Sequence, residues 1–251
     1  MSKQYEALRR IARGSEKYHP DAGTALDETV VDGSTTVVPL AAVNGAASAV
    51  ARADGIQQLC ERLAPLAVVD NSVRLLVTGC RPGDGTSTVA AALALDLSQR
   101  LSLRTMLVDA HLRHPTLHRL FARPGSRTQE LILDGALQIR STGRPRLELV
   151  SCCLTGGDEE RRQVLAQFED LLGSCPAVVV DLGVARLDSR MLPLARPTDP
   201  ILLTVRYGQT KRQELATTAA ALRAANRAVA GVVLNAATNP VAQAMGKVTK
   251  Q

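Results

Sequence analysis

The chain has 251 residues, 45% of them apolar and only 2% aromatic, with no tryptophan. Lys and Arg number 30 against 24 Asp and Glu, a net charge of +6. The length allows one good-sized domain plus a tail, the core has to be built from Leu, Val and Ala, and no basic run is dense enough, or interleaved with enough aromatics, to grip nucleic acid.

The five cysteines are Cys60, Cys80, Cys152, Cys153 and Cys175. An odd number without a CxxC pair argues against a disulfide framework and against zinc, and suits a reducing, cytoplasmic setting. The opening MSKQYEALRRIARG has no apolar stretch of the kind a secretory leader needs. The weakly apolar stretch 36–51 is broken by Pro39, Asn44 and Gly45, too short to span a membrane. Any recruitment to the inner face of the membrane is therefore expected to run through a partner.

In chain order, residues 3–13 read as a short amphipathic helix with Tyr5, Leu8 and Ile11 on one face. Residues 14–54 are rich in Ala, Gly, Thr and Asp without periodicity and read as a flexible linker. A helix is expected at 56–66. Strands follow at 73–79, 104–110, 146–151, 177–183, 201–206 and 229–235. Between them, helices are expected at 86–101, 127–138, 158–172 and 213–226. Such alternation predicts an α/β domain over 55–238 with a doubly wound, mostly parallel sheet, followed by a tail at 239–251.

The first of these strands runs into GCRPGDGTST at 79–88, which opens a helix. A glycine-rich turn between strand and helix leaves backbone N–H groups free for phosphate, and the helix dipole favours an anion there. Gly83 and Gly85 permit the tight turn. Ser87 stands where a hydroxyl meets Mg²⁺, with Thr88 beside it. The pattern GxxxxGK[ST] is incomplete: Thr86 replaces the Lys, and Cys80 stands at the first Gly. Asp84 is expected to be a solvated loop acid near the nucleotide. Arg81 is a candidate to restore part of the missing charge.

MLVDAHLRHPTLHRLF at 106–121 resembles the second nucleotide motif of bacterial tyrosine kinases of the CpsD/CapB type, which serve capsule and exopolysaccharide systems. Asp109, Arg113, Pro115, Leu117, His118 and Phe121 match it. AVVVDLGVA at 177–185 resembles their Walker B strand, with Asp181 in place and Gly183 and Val184 at the positions of its prolines. ILLTVRYGQTKRQEL resembles the strand and helix after Walker B, and GVVLN the last core strand, with Asn235 where adenine is contacted. MSKQYEALRR resembles the start of such proteins.

The resemblance implies a MinD/ParA-like P-loop fold and an ATP/ADP site with Mg²⁺ on Ser87, Asp109 and Asp181. Asp109, Asp181 and Arg113 would be catalytic; Arg81, Gly83, Asp84, Gly85, Thr86, Ser87, Thr88 and Asn235 would bind nucleotide. It also implies a homo-oligomer and a membrane polysaccharide co-polymerase as partner. The departures fall together: Thr86 for Lys, His111 for the second Asp of DxDxR, the prolines gone. The tail VAQAMGKVTKQ holds no tyrosine cluster, and no ExxRxxR motif is evident near 56–66. A regulator with weak or lost catalysis is therefore the expectation. The alternatives are an active tyrosine autokinase and a ParA/MinD-type positioning ATPase. His111, His114 and His118 raise a metal alternative, interrupted by Pro115. Cys80 raises a redox alternative at the helix N-terminus.

Overall fold

The computed structural model describes residues 38–39, 54–69, 72–111, 115, 117–121, 130–133, 137–152, 157–173, 175–184, 199–227 and 229–236. The expected helix at 3–13, most of the linker, Arg113, His114 and the tail lie outside the described residues.

The strands are β1 (Val38–Pro39), β2 (Val68–Val69), β3 (Ser72–Gly79), β4 (Thr105–Asp109), β5 (Glu130–Leu133), β6 (Leu137–Arg144), β7 (Leu147–Cys152), β8 (Ala177–Val184), β9 (Ile201–Arg206) and β10 (Val229–Asn235). The helices are α1 (Asp54–Ala67), α2 (Thr86–Leu95), α3 (Leu117–Phe121), α4 (Asp158–Gly173) and α5 (Arg212–Ala224), with a π turn at Asp96–Arg100 prolonging α2. The sheet order is β1-β10-β9-β3-β8-β4-β7-β6-β5, with β2 paired to β3. From β1 through β7 in that order every neighbouring pair is parallel; β6 and β5 add an antiparallel margin.

Strand periodicity divides the core into two layers. Val73, Leu75, Val77, Leu107, Ala177, Val179 and Leu202 pack with α1 and α2 on one face. Leu76, Met106, Val108, Val178, Val180 and Leu203 pack with Val164 and Phe168 of α4 and Leu222 of α5 on the other. Strands buried on both faces are why these segments read as continuous apolar runs. Helix α2 is buried along nearly its whole length, and its alanines let it lie close between the sheet and α1.

The helix expected at 127–138 is not formed: Glu130–Leu133 and Leu137–Arg144 are paired antiparallel strands. Asp134-Gly135 between two apolar segments is a hairpin signal, and β6 completes its ladder on the open edge of β7. Within the segment read as linker, Val38–Pro39 pairs with Val233 and Leu234 of β10.

Candidate nucleotide site

Strand β3 lies mid-sheet, with β8 then β4 on one side and β9 then β10 on the other. The loop that leaves its C-terminal end is therefore flanked by strand ends on both sides, the place where open α/β sheets bind ligands. Gly83 and Gly85 have φ of 89° and 90°, conformations that side-chain-bearing residues rarely adopt. A Cβ on Gly85 would overlap the Asn235 amide, so glycine is required there for space as well as for φ. Gly85 is the N-cap of α2 and no side chain caps the helix. The N–H groups of Gly85, Thr86, Ser87 and Thr88 are thus those that an α-helix leaves without an intrahelical partner.

On the β8–β4 side, Asp109 and Asp181 stand opposite each other in parallel register, and Ser87 donates its hydroxyl to the Asp181 carboxylate. Asp109 and Asp181 are thus brought together by adjacent strands. The Asp109 carboxylate accepts the N–H of His111 at 3.1 Å and of Leu117 at 2.9 Å, which caps the start of α3. Asp181 accepts the Gly183 N–H at 2.9 Å. Burial pushes the Asp181 carboxyl up to about 6, and the neighbouring Asp109 charge adds to this. The Ser87 and Gly183 hydrogen bonds and His111 oppose the shift without cancelling it.

His111 and Gly183 form a pair. Gly183 has φ 64°, and a Cβ there would lie 3.3 Å from the His111 ring. Proline, locked near φ −65° and without an N–H, could neither take that conformation nor donate to Asp181. The His111 ring and the Gly183 backbone are therefore fitted to each other, and a side chain at 183 would have to displace the ring.

Thr86 is buried, and a methyl group at Gly79 would sit 2.5 Å from its hydroxyl. The side chain at the lysine position thus lies back against the end of β3. Arg81 does not fill the gap: it donates to the Gln209 carbonyl at 2.8 Å, and its Nε lies 3.7 Å from the Glu214 carboxylate.

One expectation is corrected on the β9–β10 side. Asp84 is not a solvated acid; it is 3% exposed. Its carboxylate accepts the N–H groups of Cys80 and Arg81 at 3.0 and 2.9 Å and the Thr210 hydroxyl at 2.7 Å, so it folds the loop around itself. Asn235 is tied to the loop by half of its amide: one Nδ2 hydrogen goes to the Asp84 carbonyl at 2.9 Å and one Oδ1 lone pair accepts the Ala236 N–H. Thr210 and Arg206, whose Nη1 donates to the Gly83 carbonyl at 3.3 Å, complete this clamp. Neither was singled out in the sequence, where the only hint is their position at or just past the end of a strand flanking the loop.

Among the described residues no cluster of three or more His, Cys, Asp or Glu is arranged to hold a metal. Cys80 is buried and its thiol is pushed up to about 11 by that burial, the reverse of an activated thiolate. No described helix is long and apolar enough to cross a membrane.

No protein-family model matches the sequence, and no curated protein matches it. Solved structures do resemble it. The chimerical protein CapA2B2 superposes with a TM-score of 0.66 at 17% identity, over 84% of this chain and 98% of that one. The kinase domain of Escherichia coli tyrosine kinase ETK gives 0.60 at 20% identity, over 74% and 77%. The septum site-determining protein MinD from Pyrococcus horikoshii, complexed with Mg-ADP, gives 0.50 at 17% identity, over 67% and 74%. The chain therefore has the P-loop α/β fold shared by bacterial tyrosine kinase domains and MinD/ParA ATPases.

Proposed function

We propose that this chain is a tyrosine-kinase-like P-loop regulator of polysaccharide synthesis and export that still binds nucleotide while its phosphoryl transfer is weak or lost. One observation carries the reading: the backbone cradle and the carboxylate pair are kept, but the lysine position holds a buried Thr86 lying against Gly79. The site residues fit a nucleotide's phosphates and Mg²⁺. The uncapped N–H groups at the start of α2, reached past Gly83 and Gly85, would hold the phosphates without any side chain. Ser87, Asp109 and Asp181 would hold Mg²⁺, whose charge would favour the ionised form of the buried Asp181 carboxyl. Bound Mg²⁺ would supply the charge neutralisation that phosphoryl transfer requires.

What is missing is the fixed positive charge. A positioned charge at such a site is worth several kcal/mol, and each ~1.4 kcal/mol is about tenfold in rate, so losing the lysine costs a hundredfold or more. His111 adds a second loss, because imidazole gives Mg²⁺ a poorer partner than a carboxylate does. Binding outlasts catalysis because the loop N–H groups do not depend on either side chain. In this reading Arg113 belongs to the residual catalytic set. The domain over 55–238 would act in the cytoplasm, docked at the membrane through a polysaccharide co-polymerase, with self-association as in related kinases.

The test combines calorimetry of ADP and ATP, with and without Mg²⁺, with ATPase and phosphotyrosine assays. These use wild type, Thr86→Lys, His111→Asp and the double variant, with a co-polymerase cytosolic segment present. Nucleotide should bind, wild type and Thr86→Lys should turn over at least about a hundredfold below an intact kinase, and only the double variant should gain activity. Robust wild-type turnover abolished by Asp109→Asn would overturn the degenerate-site reading in favour of an active autokinase.

A further inference from the structure

A phosphate loop needs positive charge as well as N–H groups, because its ligand brings several negative charges into one small volume. This loop lacks the usual source of it: Thr86 stands at the lysine position. It also carries a negative charge of its own. Asp84, 3% exposed, accepts the N–H groups of Cys80 and Arg81 and the Thr210 hydroxyl, with no ion-pair partner among the described residues.

Two guanidinium groups touch the loop and its turn. Arg81 donates to the Gln209 carbonyl at 2.8 Å and its Nε lies 3.7 Å from the Glu214 carboxylate, so much of its charge is already offset. Arg206, the last residue of β9, differs. Its Nη1 donates to the Gly83 carbonyl at 3.3 Å, and among the described residues it has no carboxylate within ion-pair distance. A neutral carbonyl occupies one of its five N–H donors and offsets none of its charge. Gly83 is two residues from Gly85, whose N–H opens the cradle, so at most about 8 Å of chain separates them. Arg206 and Arg81–Gly83 are exposed, and nothing lies within 4 Å of a Cβ built on Gly83. The long side chain thus has room to turn from the carbonyl to an anion. The sheet order sets its reach: β9 lies on one side of β3, whereas β8 and β4, with Asp181 and Asp109, lie on the other.

We propose that Arg206 brings to the phosphate loop, from the neighbouring strand, the positive charge that position 86 does not provide, and that this charge serves the binding of phosphates and not their transfer. The proposal rests on the nucleotide-site reading above and adds to it the residue that offsets the ligand's charge. It accounts for a site that holds phosphates without its lysine yet leaves the carboxylate side, where transfer would occur, without a fixed cation.

The experiment is calorimetry of inorganic pyrophosphate and of Mg-ADP on the full chain at about 20 mM and about 200 mM salt. The proteins are wild type, Arg206→Gln, Arg206→Lys and Arg223→Gln, the last removing an exposed charge from the far end of α5. At low salt Arg206→Gln should weaken both ligands by about tenfold, with a shallower salt dependence than wild type, since a hydrogen bond to a charged group is stronger than a neutral one. Arg206→Lys should stay within about threefold of wild type, because it keeps the charge and loses only the fork. Arg223→Gln should bind as wild type does, which excludes an effect of net charge alone. Pyrophosphate bound by Arg206→Gln as tightly as by wild type, or Arg206→Lys losing as much as Arg206→Gln, overturns the charge role and leaves the nucleotide site standing. A wild type that binds neither ADP nor pyrophosphate removes the nucleotide site and the role of Arg206 with it.

Discussion

Replacing Asp181 by asparagine should change stability by an amount that depends on pH in a defined direction. Asp181 is 2% exposed and titrates at about 6 in the fold against an ordinary 3.8. A folded-state value raised above the unfolded one means that the native state holds the proton more tightly. The stabilising contribution is complete below about pH 4 and is lost as pH rises through 6. Ionising this carboxyl inside the apo fold therefore costs about 3 kcal/mol by pH 8, two pH units at ~1.4 kcal/mol each. The asparagine amide would keep an acceptor for the Gly183 N–H, which lies 2.9 Å from the native carboxylate, and carries no charge to bury. Relative to wild type, Asp181→Asn should gain about 3 kcal/mol between pH 4 and pH 8. With a slope of about 2 kcal/mol/M that is a urea midpoint higher by about 1.5 M at the upper pH. The assay is urea unfolding of both proteins across that range in EDTA, then at pH 8 with Mg-ADP, where wild type should recover the difference and the variant should not. A stability difference that stays constant from pH 4 to pH 8 would refute the argument that burial without a cation sets the state of this carboxyl.

Two further outcomes follow from the glycines. Gly85→Ala should lose at least about 2 kcal/mol by urea unfolding, from left-handed strain plus the Asn235 overlap, whereas Gly83→Ala, with nothing within 4 Å of its Cβ, should lose only about 1 kcal/mol; equal losses would show that the Asn235 contact is unimportant. Gly183→Pro should destabilise by about 3 kcal/mol or more, because it forbids φ 64° and removes the N–H that Asp181 accepts. A variant that folds normally and gains ATPase activity would contradict the His111–Gly183 pairing.

Much of the architecture was legible locally. VRLLVTG, AVVVDLG and ILLTVR are apolar runs of strand length, and burial on both faces of a parallel sheet leaves no other pattern for them. The phosphate loop was legible because a backbone cradle needs glycine at particular steps between a strand and a helix, and Asp109 and Asp181 because each follows an apolar run of strand length. What the sequence could not reveal depends on residues far apart in the chain. Asp84 reads as a surface acid, and only the approach of Thr210, 126 positions away, turns it into the buried centre of the loop. His111 and Gly183 look unrelated until adjacent strands β4 and β8 set the ring against the glycine. The segment at 127–138 carries enough apolar residues for a helix, and the open edge of β7 decides for strands by offering its N–H and C=O groups to β6. Local spacing determines which backbone conformations are available, whereas burial, hydrogen-bond partners and charge depend on what the fold brings alongside.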